Sequence, residues 1–167
     1  MRSLRSLTVA VALFTALVLQ TTVVNLLPLP LAVPQLVLVV VVVVGLIEGS
    51  EVGAVSGFGA GLVGDLLSDH AVGQVALVLT LVGYAAGQIR EDGERTVAIP
   101  LAAVAGGSAA YVLLSALVAA GIGDARLGGA QVLRTVLGVA LYDVLVTPFV
   151  LPPLRALLVR LMPEREP

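Results

Sequence analysis

The stretch "TVAIPLAAVAGGSAAYVLLSALVAAGIG", Thr96–Gly123, runs for 28 residues without a charge. An apolar run of about 18 residues or more can cross the ~30 Å hydrocarbon core of a bilayer as a helix. Similar runs lie on either side of it: Leu7–Leu27 is uncharged, and Val132–Leu154 carries only Arg134 and Asp143. Over the whole chain 59% of residues are hydrophobic and 12% are charged, with a mean hydropathy of +1.10. A soluble domain has roughly 45–50% apolar and about 25% charged residues. A chain of this length has too much surface to hide the excess. The sequence therefore predicts an all-α integral membrane protein that crosses the bilayer several times.

Six apolar segments are expected as a bundle of about six transmembrane helices in a single membrane domain, residues 1–167. They cover about 6–27, 35–47, 52–67, 72–89, 96–122 and 132–151. Pro28, Pro30 and Pro34 punctuate the first connection, and Pro34 suits the start of the second helix. The second segment is short for a span. "REDGER", Arg90–Arg95, is the one dense charge cluster and reads as a solvated loop. Pro148, Pro152 and Pro153 should kink or end the sixth helix. After them, Leu154, Leu157, Leu158 and Leu161 share one face, which predicts an amphipathic helix over 153–162, either lying at the membrane interface or as the emerging end of the sixth span. A β-barrel needs strands of alternating polarity, and "QLVLVVVVVV" (35–44) has none.

The N-terminal stretch has two arginines before its apolar run, as a signal peptide would. The run is too long for an h-region of about 7–15 residues, and no A-x-A-like site ends it. It is read as an uncleaved first span. With the N terminus in the cytoplasm, Arg2, Arg5, Arg90, Arg95, Arg155, Arg160 and Arg165 fall inside, and only Arg126 and Arg134 fall outside. That bias places both termini in the cytoplasm of a multi-pass cell-membrane protein. A net charge of −2 gives no reason to expect nucleic acid as a partner, and the lack of cysteine excludes disulfides and thiolate ligands.

Gly53, Gly57, Gly61 and Asp65 lie four residues apart and form one stripe of the third segment, with Phe58 and Gly64 beside it. Small residues at this spacing let another helix approach closely in lipid. The stripe could pack inside the bundle, dock a partner's single span, or roof a binding cavity. Asp65 and Asp143 are the intramembrane acids, and such groups face protein or water. Asp65 lies two residues from the expected end of its segment, and Arg134 enters the sixth span from the same side, which suggests a structural role for Asp65 either in a pair with Arg134 or as a cap. Asp143 lies about eleven residues into that span, after Tyr142. Glu48 and Glu51 should face cytoplasmic water, Glu51 also suiting a helix N-terminus. His70 and Asp69 read as turn residues; a lone histidine is weak evidence for a metal.

Gly64-Asp65 and Tyr142-Asp143 faintly resemble the GxGD and YD motifs of intramembrane aspartyl proteases. Leu62 stands where the first motif glycine belongs, and the motif order is reversed. No catalytic residue, metal or cofactor is expected.

An ordered set of stretches resembles the MreD family of the bacterial rod-shape (elongasome) machinery. They are "LQTTVVNLLPLP" (19–30), "VPQLVLVVVVVVGLIEGSEVGAVSGFGAGLVGDLL" (33–67), "VGQVALVLTLVGYAAG" (72–87) and "LYDVLVTPFVLPPLR" (141–155). GFxxGLxxDLL, at Gly57, Phe58, Gly61, Leu62, Asp65, Leu66 and Leu67, is the most specific piece. Pro34, Gly73 and Gly83-Tyr84 support it. The resemblance implies a non-enzymatic scaffold that binds MreC. Through MreC it would reach a RodA-type glycosyltransferase, a class B penicillin-binding protein and MreB. It also implies a fold similar to the S components of energy-coupling-factor (ECF) transporters. The alternative is therefore small-molecule binding or transport, for which Gln74, Gln88, Tyr84, Tyr142 and Asp143 are the sparse candidates. On the leading reading the partner-helix interface is Gly53, Gly57, Phe58, Gly61 and Gly64, and Asp65, Arg134, Tyr84 and Asp143 are structural polar residues.

Overall fold

The computed structural model describes residues 2–24, 32–67, 73–90, 98–121 and 129–160. Asp69, His70, Arg126, most of "REDGER" and the tail from Leu161 lie outside them. Six helices and no strand are found among the described residues: α1 Arg2–Thr22, α2 Leu36–Glu48, α3 Ser50–Leu66, α4 Gln74–Gln88, α5 Ala98–Gly121 and α6 Gly129–Arg160. Three of them, α1, α5 and α6, are long and apolar enough to cross a membrane. α2 and α4 are apolar but shorter.

The valine run explains its own position. A helix that is apolar on every side belongs where no side meets water, and every residue from Val37 to Leu46 is buried. α2 is the hub against which the other five helices pack. At ~1.5 Å per residue its 13 residues span about 20 Å. That is too short to face lipid along a full span, but it suffices for a core helix whose ends are held by other helices. α2 turns directly into α3 through Gly49, whose φ of +101° lies in the left-handed region that a side chain disfavours.

The outer surface is inverted relative to a soluble bundle. On α6, Leu133, Leu137, Leu141, Leu145 and Phe149 are all exposed. Gly138, Asp143, Thr147, Leu154 and Leu158 are buried on the opposite face. Phe149 is 79% and Phe14 66% exposed, which lipid tolerates and water does not.

α6 decides between the two readings of the C-terminal stretch, which is the emerging end of the sixth span. It does not end near Leu151, and residues 153–160 are not a separate helix: one continuous helix runs to Arg160 through Pro148, Pro152 and Pro153. A proline removes one N–H bond and crowds the preceding turn, a local cost that membrane helices tolerate when neighbours compensate. Here Leu154 and Leu158 join the central core, so the last turns are held by packing. Leu157, expected on the same apolar face, is exposed.

Candidate functional site

The glycine stripe faces inward. A side chain at Gly53 would overlap the Gly83 carbonyl, one at Gly57 the Leu79 carbonyl, and one at Gly61 the backbone of Ala76. All three contacts are with α4. The junction extends into α2, where a Cβ at Gly45 would lie 2.7 Å from the Gly83 oxygen, and Gly87 abuts the backbone of Gly49 and Ser50. α3 and α4 thus pack backbone to backbone, the gain that small residues offer in lipid. Of the three roles open to the stripe, it serves the bundle's own packing. A partner helix cannot occupy a face that α4 already fills, so Gly53, Gly57 and Gly61 are not the partner interface. Gly64 and Phe58 point elsewhere: Gly64 approaches Leu17 of α1, and Phe58 is exposed.

Asp65 does not pair with Arg134. Arg134 is exposed, and the only ion pair among the described residues joins Arg5 to Glu48. Asp65 is 1% exposed and turns toward the start of α4. One carboxylate oxygen accepts the N–H groups of Gly73 (2.9 Å) and Ala76 (3.1 Å), and the other accepts that of Val75 (3.1 Å). The first N–H groups of a helix have no partner within it, and their partial positive charge favours an anion. Gly73, the residue before α4, has no side chain to cap them. Asp65 supplies the cap from the neighbouring helix.

Asp143 plays the corresponding part for α2. Its Oδ1 accepts the Gln35 N–H at 2.7 Å, and its Oδ2 accepts the Ser108 hydroxyl at 2.6 Å. Gln20 of α1 completes the cap, its Oε1 accepting the Val37 N–H at 3.1 Å and its Nε2 donating to Gln35 Oε1 at 2.7 Å. Both buried acids therefore hold the start of a short, enclosed helix. With the oxygens of each engaged by such donors, neither resembles half of a protease dyad sharing a proton.

The residues considered for a small-molecule site do not converge. Tyr84 is 50% exposed, Gln88 is exposed, and Gln74 donates to the Ser115 carbonyl. A cavity of about 250 Å³ lies instead where α2 and α4 begin, bordered by Gln20, Gln35, Val75 and Tyr111.

The larger concavity was not legible in the sequence. A groove of about 570 Å³ runs between α1 and α3, from Ser6 and Glu51 at one end to Leu17 and Val63 at the other. Its walls include Val9, Ala10, Leu13 and Phe14 on α1 and Val55, Gly59 and Ala60 on α3. The eleven steps from Ser6 to Leu17 and the twelve from Glu51 to Val63 correspond to about 17–18 Å. Gly59 has open space around its Cα. The signal that could have found it is the second small-residue row of α3, Ser56 and Ala60 beside Gly59, set off from the Gly57 stripe. At the Glu51 end, Arg5 donates through Nε to Glu48 at 3.2 Å, pinning α1 to the end of α2.

The described residues contain no cluster of His, Cys, Asp and Glu suited to a metal. A model of the family described as rod shape-determining protein MreD matches residues 1–158. No curated protein and no solved structure matches the chain.

Proposed function

The chain belongs to the MreD family, and on that premise we propose that it is a non-enzymatic scaffold that clasps the transmembrane helix of MreC in the groove between α1 and α3. The family determines rod shape, is one of structural membrane proteins and is not a known enzyme family. The groove carries the reading: it is apolar along its length, lies on the lipid-facing side of two helices, and is wide enough at Gly59 for another helix to approach. Held there, MreC would connect this membrane bundle to peptidoglycan synthesis outside the cell. The RodA-type glycosyltransferase, the class B penicillin-binding protein and MreB would be reached indirectly.

In this reading the protein sits in the cell membrane with both termini in the cytoplasm. Arg5, Glu48 and Arg90 gather at one end of the bundle, where Arg90 approaches the Glu48 carbonyl. Arginine-rich ends face the cytoplasm.

Filling the groove separates partner binding from folding. A Cβ at Gly59 meets nothing within 4 Å, so Gly59→Trp directs its indole into the groove and away from the α3–α4 junction. It should leave the amount and thermal stability of the purified protein unchanged, while lowering copurified MreC at least tenfold. MreC recovered at wild-type levels would remove the groove from the account.

The polar cavity favours a second reading, small-molecule binding as in ECF S components, because Gln20, Gln35 and Tyr111 border a space large enough for a small ligand. A screened compound that raises the melting temperature of the wild type but not of Tyr111→Phe would support it. Equal shifts in both would count against it.

A further inference from the structure

We infer that Glu51 is a charged latch at the mouth of the α1–α3 groove, receiving a basic side chain from the boundary of a single transmembrane helix and so setting the direction in which that helix lies. The inference rests on the groove's being a helix-docking site.

Glu48 and Glu51 stand on either side of the Gly49 turn, yet their surroundings differ. The Glu48 side chain is 9% exposed and already takes the Arg5 guanidinium. Glu51 is exposed, in the first turn of α3, and lines the groove beside Ser6. With Arg5 turned to Glu48, the described residues offer Glu51 no ion pair. The N-terminal dipole of α3 favours an acid there, but it does not explain why this acid lines the groove.

Among the described residues Glu51 is also the groove's only charged wall residue; the rest are apolar or small apart from Ser6 and Ser56. Along these walls the groove therefore carries charge at one end alone. A single-span protein whose N terminus is cytoplasmic carries Lys or Arg at that boundary, the end at which Arg5 and Arg90 place Glu51. Docked in this direction, its basic residue meets the carboxylate. Docked in the other, the helix would press an apolar surface over Glu51 and strip its water without a counter-charge.

The test uses the full chain co-expressed with MreC and recovered from membranes at low and high salt. An exposed pair is worth up to a fewfold in affinity, and a like-charge contact costs about as much again. Glu51→Gln should lower recovered MreC about threefold, an effect that fades at high salt. Glu51→Lys should lower it roughly tenfold, the product of both effects. Reversing the basic boundary residues of MreC to Glu should restore binding to Glu51→Lys and weaken it to the wild type. Wild-type recovery with Glu51→Lys, alongside loss with Gly59→Trp, overturns the latch and leaves the groove. Loss with Glu51→Lys that charge reversal does not repair also overturns it, assigning Glu51 to the start of α3. If Gly59→Trp still recovers MreC, the groove itself fails.

Discussion

Gly57→Leu should abolish folded protein, whereas Gly59→Leu, two residues along the same helix, should leave folding intact. At Gly57 a side chain overlaps the carbonyl of Leu79, which is backbone and cannot swing aside. Relief requires α3 and α4 to separate along their whole contact, through Gly53–Gly83 and Gly61–Ala76. Inserting bulk into a core that can adjust costs about 1–3 kcal/mol. Here adjustment would dismantle the junction, at a cost comparable with a whole domain's stability of about 5–15 kcal/mol. Gly59 has nothing within 4 Å of its Cβ position. Monodisperse protein on size-exclusion chromatography reads the difference directly. A well-folded Gly57→Leu protein that merely loses a partner would return the stripe to the role of docking surface.

Asp65→Ala should be the most damaging polar substitution. It strands three N–H donors at the start of α4, in a place where water has little access. Each buried donor left unmade costs about 1–3 kcal/mol, so the three together cost on the order of 3–9 kcal/mol. Asp65→Asn keeps one acceptor oxygen but turns an amide N–H₂ toward N–H groups, and should recover less than half of the loss. Asp143→Ala should cost less, on the order of 1–3 kcal/mol, because the Ser108 hydroxyl can turn to a carbonyl of its own helix while only the Gln35 N–H is stranded. Denaturant unfolding in detergent ranks the three. Asp65→Ala as stable as the wild type would refute the cap.

These predictions show which features the sequence carried. The uncharged runs forecast a helical membrane protein because burial in lipid needs only apolarity and length, both written locally. The Val37–Val44 run forecast a helix but not its place at the hub; its short length was the clue, since a core helix need not match the bilayer. The four-residue glycine spacing identified a close helix contact without saying with which helix, because spacing defines a face and not its occupant. Asp65 and Asp143 stood out as costly intramembrane acids. Their partners are backbone N–H groups, though, and a sequence names side chains only, so Arg134 is the one mate it can name for Asp65, while the place of a cap is not written in it. The prolines of α6 suggested a break that the burial of Leu154 and Leu158 prevents. The groove depends on how far α1 stands from α3, a tertiary distance that the small-residue row at Ser56, Gly59 and Ala60 hints at but does not set.

The most direct measurement of the central claim is cysteine crosslinking in membranes. The chain has no native cysteine, so each introduced thiol reports alone. Cysteines at Ala10 and Gly59, facing each other across the groove, should each crosslink to a cysteine in the MreC span. Cysteines at Leu141 and Phe149, exposed on α6, should not. Crosslinks from the α6 positions, with none from Ala10 or Gly59, would contradict the account.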